Sequence, residues 1–420
     1  MRTIIEPALI LSVHLESFWD SEEFVSCKRK IGYNMYISFL SKWSDMIDII
    51  QVKDKTSQKL FVEFQFQLYQ DNPQFTPPFK SDIYAMMNKK KHPFYDHSES
   101  DHFLAFKDGK VVGKIAALEN KPFNKYHQVK DSEFYLFDCI DDQEVADALL
   151  TTVKDWAKAR GLTRIVGPKG YGPLDGYGIQ VEGFEHRQMM NMMNYNYPYY
   201  QRLVENYGFV KEVDFVSSYL APQEYVLPEK IKRAVEIVKK RGSMRVMNFR
   251  DKKHIMEWRY KIKDAYNRAF VNNWEYYPLS DRELEYAVDN AIQVVIPELL
   301  QIILNKDDDI VGFVLPFPDA SAAMQKNKGK LGPIEIIRLL RELKTTQWLD
   351  FNGIGILPEY QGMGGNALLI DALLTAAQQN KRFIHAELTQ VAETAVQMRK
   401  DLDNLGVKYY KNHRVYKLDI

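Results

Sequence analysis

The chain has 420 residues, with 56 Lys or Arg balanced by 56 Asp or Glu. That length holds two or three ordinary domains, and the lack of a basic surplus excludes a grip on duplex nucleic acid. Two cysteines, Cys27 and Cys139, are too few for a disulfide framework or a cysteine-built metal site, and no apolar run reaches bilayer-spanning length; the expectation is a cytoplasmic protein without nucleic acid or membrane as partner.

Residues 1–45 show no clear period and read as a poorly ordered extension, upstream of the natural start, or as a short helical arm. After Met46 the run Asp48-Ile-Ile-Gln-Val opens as a strand, and Thr56–Gln70 follows with helical spacing. Phe103 to Ala117 reads as strand, polar turn, Val-Gly113 and second strand, which is a hairpin signature. Glu133–Ile140 is strand-like, Asp142–Arg160 is an amphipathic helix stopped by Gly161, and Thr163–Gly167 is another strand. His92, His97 and His102 lie five apart across a loop and lack the geometry of metal ligands, so no metal is expected.

From Gly167 to Gly183 the chain is rich in glycine and tyrosine, and it leads into the Met and Tyr cluster Gln188–Tyr200. Such a segment packs two domains together or lines an acceptor groove between them, with Asn273-Trp274 at the mouth. A glycine-capped helix end, Leu203–Gly208, closes this part, and Pro222–Gly242 reads as a connection.

The same order then returns. A helix over Glu257–Phe270 precedes the hairpin around Val-Gly312; the strand Trp348–Leu357, the helix Gly365–Asn380, the strand Arg382–Leu388 and the glycine-capped end Leu402–Gly406 follow. Gly113 and Gly312 stand 199 residues apart, Gly208 and Gly406 stand 198 apart. Two landmarks with nearly one offset indicate tandem copies of one α/β unit, 46–222 and 223–420, each a mixed sheet flanked by helices.

The most informative stretch is Trp348–Leu368. An apolar strand meets Pro358, passes the turn Gln361-Gly-Met-Gly-Gly-Asn366, and opens directly into a helix. The first amides of a helix have no partner within it, and its dipole is positive there; glycines let a phosphate reach the backbone. The first copy has Asp138, Asp141, Asp142 and Glu144 at the equivalent turn and no glycine, so carboxylates there would repel a phosphate.

With Gln361, Gly362, Gly364 and the preceding Pro-Glu-Tyr in place, the sequence resembles the GNAT N-acetyltransferase superfamily, although Asn366 stands where a small residue is usual. More closely it resembles bacterial tandem-GNAT proteins, from about Met46 to Ile420, on Tyr69–Pro78, His92-Pro-Phe, Val166-Gly-Pro168, Gly183-Phe, Tyr195–Tyr200, Asn273-Trp and Gly312–Pro318. The resemblance implies acetyl-CoA or another acyl-CoA as co-substrate. Amides of Gly362, Met363, Gly364, Gly365 and Asn366 would cradle its pyrophosphate beside Gln361, and Gly355, Ile356 and Leu357 would pair with the pantetheine arm. Gly353 and Gly355 mark a strand bulge that aims an amide at the thioester, or else glycines that fit beneath a bulky neighbour.

For chemistry, many GNAT enzymes use a tyrosine at the place held here by Leu402, and an asparagine at Ala395; this chain departs at both. Tyr409 and Tyr410 are substitutes as proton donor, and Glu387 could accept the amine proton. The reading is an N-acyltransferase acting on a small-molecule or protein amine. A non-catalytic acyl-CoA-binding scaffold or sensor, and an aminoacyl transferase using charged tRNA, are the alternatives.

Overall fold

The computed structural model describes residues 47–172, 175–189 and 193–420; the expected extension over 1–45 lies outside them. In the first half, β1 (Asp48–Gln51) leads through α1 (Lys55–Leu68) and α2 (Lys80–Met86) to the hairpin of β2 (Glu99–Lys107) and β3 (Lys110–Glu119). Then come α3 (Lys121–His127), β4 (Asp131–Cys139), α4 (Gln143–Lys158), β5 (Arg164–Gly167), the short β6 (Ile179–Glu182), α5 (Tyr199–Tyr207) and β7 (Val210–Leu220).

The second half repeats this plan with additions. It begins with α6 (Glu229–Arg241), β8 (Arg245–Asn248), α7 (Lys252–Glu257), α8 (Arg259–Ala269) and α9 (Asp281–Val294). The hairpin β9 (Gln301–Leu304) and β10 (Ile310–Pro318) is followed by α10 (Ser321–Asn327) and α11 (Pro333–Thr345). β11 (Trp348–Ile356), α12 (Gly365–Gln379), β12 (His385–Ala392), α13 (Val396–Leu405) and β13 (Lys408–Asp419) complete it. The strand expected over Arg382–Leu388 starts later and runs on to Ala392, because Arg382 and Phe383 still belong to the turn after α12.

Local chemistry accounts for the elements. In α4, Val145, Ala146, Leu149, Leu150, Val153, Trp156 and Ala157 recur at three- and four-residue spacing and are all buried against β2, β3 and β4. Each such leucine contributes ~1.5–3 kcal/mol through burial. Gly113 permits this approach, since a Cβ there would come within 2.7 Å of Leu149; Gly312 instead makes room for Ile356 of the neighbouring strand, 2.4 Å from where a Cβ would lie.

The halves share one sheet, in the order β1-β2-β3-β4-β5-β13-β7-β12-β11-β10-β9-β8. Their final strands are exchanged. β13 fills the place beside β5, pairing antiparallel from Tyr416–Gly167 to Asp419–Arg164, while β7 pairs with β12 from Ala386–Leu220 to Ala392–Phe215. β7 and β13 also pair with each other along almost their whole length. Sequence periodicity cannot reveal such an exchange, since it reports which face a strand buries and not which neighbour it takes.

Candidate acyl-donor site and its carboxyl cluster

β11 and β12 run parallel and are paired only from Trp348–His385 to Phe351–Leu388. Beyond Phe351 they separate, so the rest of β11 has no strand on that side. At the parting β11 bulges. Leu315 faces Asn352 and Val314 faces Ile354, leaving Gly353 outside the ladder at φ 73°, a left-handed conformation that glycine adopts without strain. The expected bulge is therefore at Gly353. Gly355 has the plainer explanation: a Cβ there would meet Ala269 and the Phe313 ring, each at 2.9 Å.

After β11 the turn leads to α12. Gly364 takes φ 88° at the helix entry and no side chain caps it. Among the described residues, the amides of Gly362, Gly364, Gly365, Asn366 and Ala367 donate to no acceptor. Met363 donates to the Tyr360 carbonyl, at 3.4 Å, and its side chain is exposed. The Asn366 side chain is held aside by Asp401 of α13 (Nδ2 to Oδ2, 2.6 Å), which leaves the backbone of the turn approachable.

Helix α6, which the sequence gives as a mere connection, packs on α12. A Cβ on Gly364 would lie 2.6 Å from Val238, so Gly364 is fixed by packing as well as by its φ. Lys230, at the other end of α6, donates to Asn404 Oδ1 at 3.1 Å and also lines the cavity.

The pantetheine partners expected on β11 are fewer than three. Leu357 donates its N–H to Val311 and accepts from Tyr360, so its backbone is already engaged. Ile356 offers its carbonyl on the open side, where Gln361 Nε2 reaches it at 3.3 Å.

Beside this opening lies a buried cluster of charge. Glu387 of β12 is fully buried; it accepts from Tyr410 Oη and from Lys411 Nζ, the latter at 3.0 Å. Tyr410 is the extra residue of a bulge in β13, between the Tyr409–Ser218 and Lys411–Ser217 pairs, which is how two successive side chains reach one carboxylate. Burial and then the Glu387 charge hold the Tyr410 phenol well above its ordinary value. Tyr409 is not brought to this group: its hydroxyl donates to Asp403, 2.6 Å away, and its ring packs with Leu402 and Leu405. Lys411 also donates to the Arg187 carbonyl at 2.8 Å, and Arg187 pairs with buried Asp319 at 2.5 Å.

Asp350 completes the cluster, though no sequence motif marks it. It lies opposite Glu387 in the parallel pairing, is buried, and accepts from Thr389 Oγ1. Burial first, and the Glu387 charge next, push its carboxyl well above the usual range. The available signal was a lone carboxylate in the apolar run Trp348-Leu-Asp-Phe.

One cavity of ≈ 1530 Å³ joins these parts. It is lined by Gly362, Gly364, Gly365 and Asn366 at the turn, and by Asp350 and Phe351 at the parting of the strands. Leu388 and Thr389, neighbours on β12 and hence on opposite faces, both line it, so the space passes through the sheet. On the far side it continues along Tyr177, Met193, Tyr195, Asn273 and Trp274. Residues 190–192 of the methionine and tyrosine cluster lie outside the described residues. Among the described residues no group of His, Cys, Asp or Glu could hold a metal ion.

The corresponding places in the first half are filled. α4 starts at Asp142, whose own carboxylate accepts from the Glu144 amide at 3.0 Å and pairs with Lys107 at 2.8 Å. Where β4 and β5 separate, Tyr199 Oη donates to the Cys139 carbonyl, at 2.8 Å, and Tyr200 Oη accepts from the Cys139 amide, at 3.0 Å. The bulge of β4 carries Leu136 at φ 49° in place of a glycine.

No family model matches the chain. Among curated proteins it is similar to protein YghO of Escherichia coli strain K12, 25% identical over 392 residues, covering 90% of this chain and 98% of the relative. It is similar also to the bacterial ceramide synthase of Caulobacter vibrioides, 26% identical over 378 residues, covering 88% and 97%. Among solved structures, a tandem GNAT protein from the clavulanic acid biosynthesis pathway aligns with TM-score 0.50 and 10% identity, over 89% of this chain and 98% of that one. A glucosamine N-acetyltransferase region of a fungal multi-domain β-N-acetylglucosaminidase aligns with TM-score 0.53 and 12% identity, over 89% and 38%. At these identities the structural likeness is one of fold.

Proposed function

The chain has the tandem GNAT fold, and on that premise we propose that it is an N-acyltransferase that moves a fatty acyl group from acyl-CoA to the amine of a long-chain acceptor. The observation that carries this reading is the single cavity through the parting of β11 and β12. It connects a turn with five free amides to a buried carboxyl cluster and then to an aromatic and methionine-lined space. At ≈ 1530 Å³ it exceeds the roughly 300–1,000 Å³ usual for small ligands. A ceramide is the fatty amide of a long-chain amino alcohol, so the similarity to a ceramide synthase supports an acceptor of that class.

Acyl-CoA would supply an activated thioester. The free amides of Gly362, Gly364, Gly365, Asn366 and Ala367 suit its diphosphate. The bulge at Gly353 places main-chain amides at the parting, where they can meet negative charge developing on the carbonyl oxygen. As the amine nitrogen bonds to the acyl carbon and the carbon–sulfur bond breaks, Asp350 takes the proton the nitrogen loses, and sulfur leaves as thiolate. A carboxylate with a raised pKa is a stronger base than an ordinary one. Lys411 and Tyr410 keep Glu387 fixed beside it.

The test is release of CoA thiol from acetyl-CoA and palmitoyl-CoA, each offered with a long-chain amino alcohol and with short amines, with the amide identified by mass spectrometry. Fastest transfer from palmitoyl-CoA to the long-chain amine is expected. Binding without thiol release would leave only a scaffold, and equal transfer to short amines would remove the acceptor class.

A further inference from the structure

Helix α11 carries apolar side chains outward as well as inward, where Leu339 and Leu343 pack on α10. Ile334 and Ile337 are each 67% exposed and Leu340 is 54% exposed, with Leu331 and Ile336 also in solvent. No residue of the helix is buried. Two of its polar groups are engaged along the protein: Arg338 donates to Asn327 at 2.7 Å, and Glu335 closes the helix start by accepting from the Gly332 amide at 3.1 Å. A helix on a water-exposed surface keeps its outer face polar, and a contiguous exposed apolar patch marks a site of contact.

Charge says which contact. Lys326, Lys328 and Lys330 precede the helix, Arg341 and Lys344 end it, and all five are exposed. None is paired with a carboxylate among the described residues. An apolar stripe flanked by unpaired cations is the pattern of a helix lying in the headgroup region of a bilayer. A second copy of the same face would set these cations against one another, whereas anionic headgroups complement them.

Position says why. The inner side of α11 borders the large cavity through Leu339 and Leu343, and Leu331, Ile336 and Leu340 line it at the rim with Tyr286 of α9. The first half has no such element. There α3 ends with Gln128 at φ 56° and the chain passes directly into β4; in the second half α10 ends likewise, with Lys328 at φ 49°, and α11 is inserted before β11.

We propose that α11 docks the protein on an anionic lipid surface, with the cavity rim facing the bilayer so that an amphiphile can enter without crossing water. This revises the expectation, drawn from composition, that no membrane is a partner. No helix among the described residues is long and apolar enough to cross a membrane, and the docking proposed is peripheral. The docking rests on the outer face of α11, and only the entry of an amphiphile at the rim rests on the acyl-transfer reading.

The test is co-sedimentation of the full chain with vesicles of phosphatidylcholine alone and with added phosphatidylglycerol, at low and high salt. The chain should pellet with the anionic vesicles and lose binding as salt rises. Ile334→Glu with Ile337→Glu should lower the bound fraction at least about tenfold, with the thermal unfolding midpoint kept because both side chains point to solvent. Failure to pellet with anionic vesicles would overturn the proposal, as would pelleting undiminished by the double substitution. So would light scattering showing a dimer that the double substitution dissolves. Vesicle binding is read without catalysis, so its failure is distinct from failure of acyl transfer.

Discussion

The starts of α4 and α12 occupy the same place in two copies of one plan, and they differ in what is left unpaired. At α4 the Asp142 carboxylate caps the helix and pairs with Lys107. At α12 a left-handed Gly364 stands in the cap position, with five amides open to the cavity. The partings of the strands differ in the same sense, for Tyr199 and Tyr200 bond both main-chain groups of Cys139 in the first half, while in the second only the Gln361 side chain reaches the Ile356 carbonyl and Gly353 lies outside the ladder. On the proposed reading, the lesson is that a scaffold loses a site by satisfying its own backbone. Neither a change of fold nor a collapse of the sheet is required.

The largest expected break in the comparison is Asp350→Asn. The rate of acyl transfer should fall ~10²–10⁴-fold with little change in KM. In the natural protein the rate should decline on acidification at a pH well above the usual carboxylate range, since Asp350 accepts a proton only when ionised and burial raises its pKa. Stability moves in the opposite sense. A raised folded-state pKa leaves the buried acid harmless below the ordinary value of about 3.9, and makes it increasingly costly as pH rises toward the folded value. The variant should therefore gain in melting temperature over the natural protein as pH increases. A parallel pH dependence of melting in both proteins would remove Asp350 from this role.

Next in size is Gly362→Asp, which gives the second half a carboxylate like that of the first. No atom lies within 4 Å of a Cβ at this position, so the cost to the fold is backbone strain at φ 74°. Acyl-CoA affinity should fall about 10–100-fold by calorimetry, each tenfold being ~1.4 kcal/mol. Gly362→Asn, equal in shape and tolerant of left-handed backbone, should lose far less; equal losses would mean that charge is not the cause. Gly364 is a poorer probe, because Val238 blocks any side chain there.

The smallest effect belongs to the first half. Tyr200→Phe removes a hydroxyl that serves the Cys139 amide, Asp138 and Tyr69. Leaving those buried groups short of a partner should cost ~1–3 kcal/mol in a denaturant titration. The number of CoA molecules bound per chain should stay at one; a second would show that the tyrosines were masking a working site.

Much of the architecture was legible because it is written in local chemistry. The glycine turn into α12, the Asp142 helix and the hairpins around Gly113 and Gly312 each depend on residues within a few positions of one another. The structure adds the same signature at finer grain: Asp108 and Asp308, and Gln128 and Lys328, take positive φ at matching places. What escaped is non-local. That Glu387 meets Tyr410 and not Tyr409 depends on a bulge in β13, and a one-residue shift of register moves a side chain to the other face. Asp350 escaped for a different reason: a single carboxylate in an apolar strand gains meaning only when its partner Glu387 is placed beside it. The outward apolar face of α11 follows from its docking on α10, which no period within the helix could reveal.

The exchange of final strands sets a timetable for synthesis. The slot between β5 and β7 is filled by Lys408–Asp419, which the ribosome makes after every other strand described here. Until then the early half lacks the strand that covers the β5 edge in the finished fold, and an uncovered β edge is open to pairing with other nascent chains. Slow elongation through the later half would lengthen that exposure, and overproduction would multiply the strangers available to it. Supplying the two halves as separate polypeptides should yield nothing usable from either one alone.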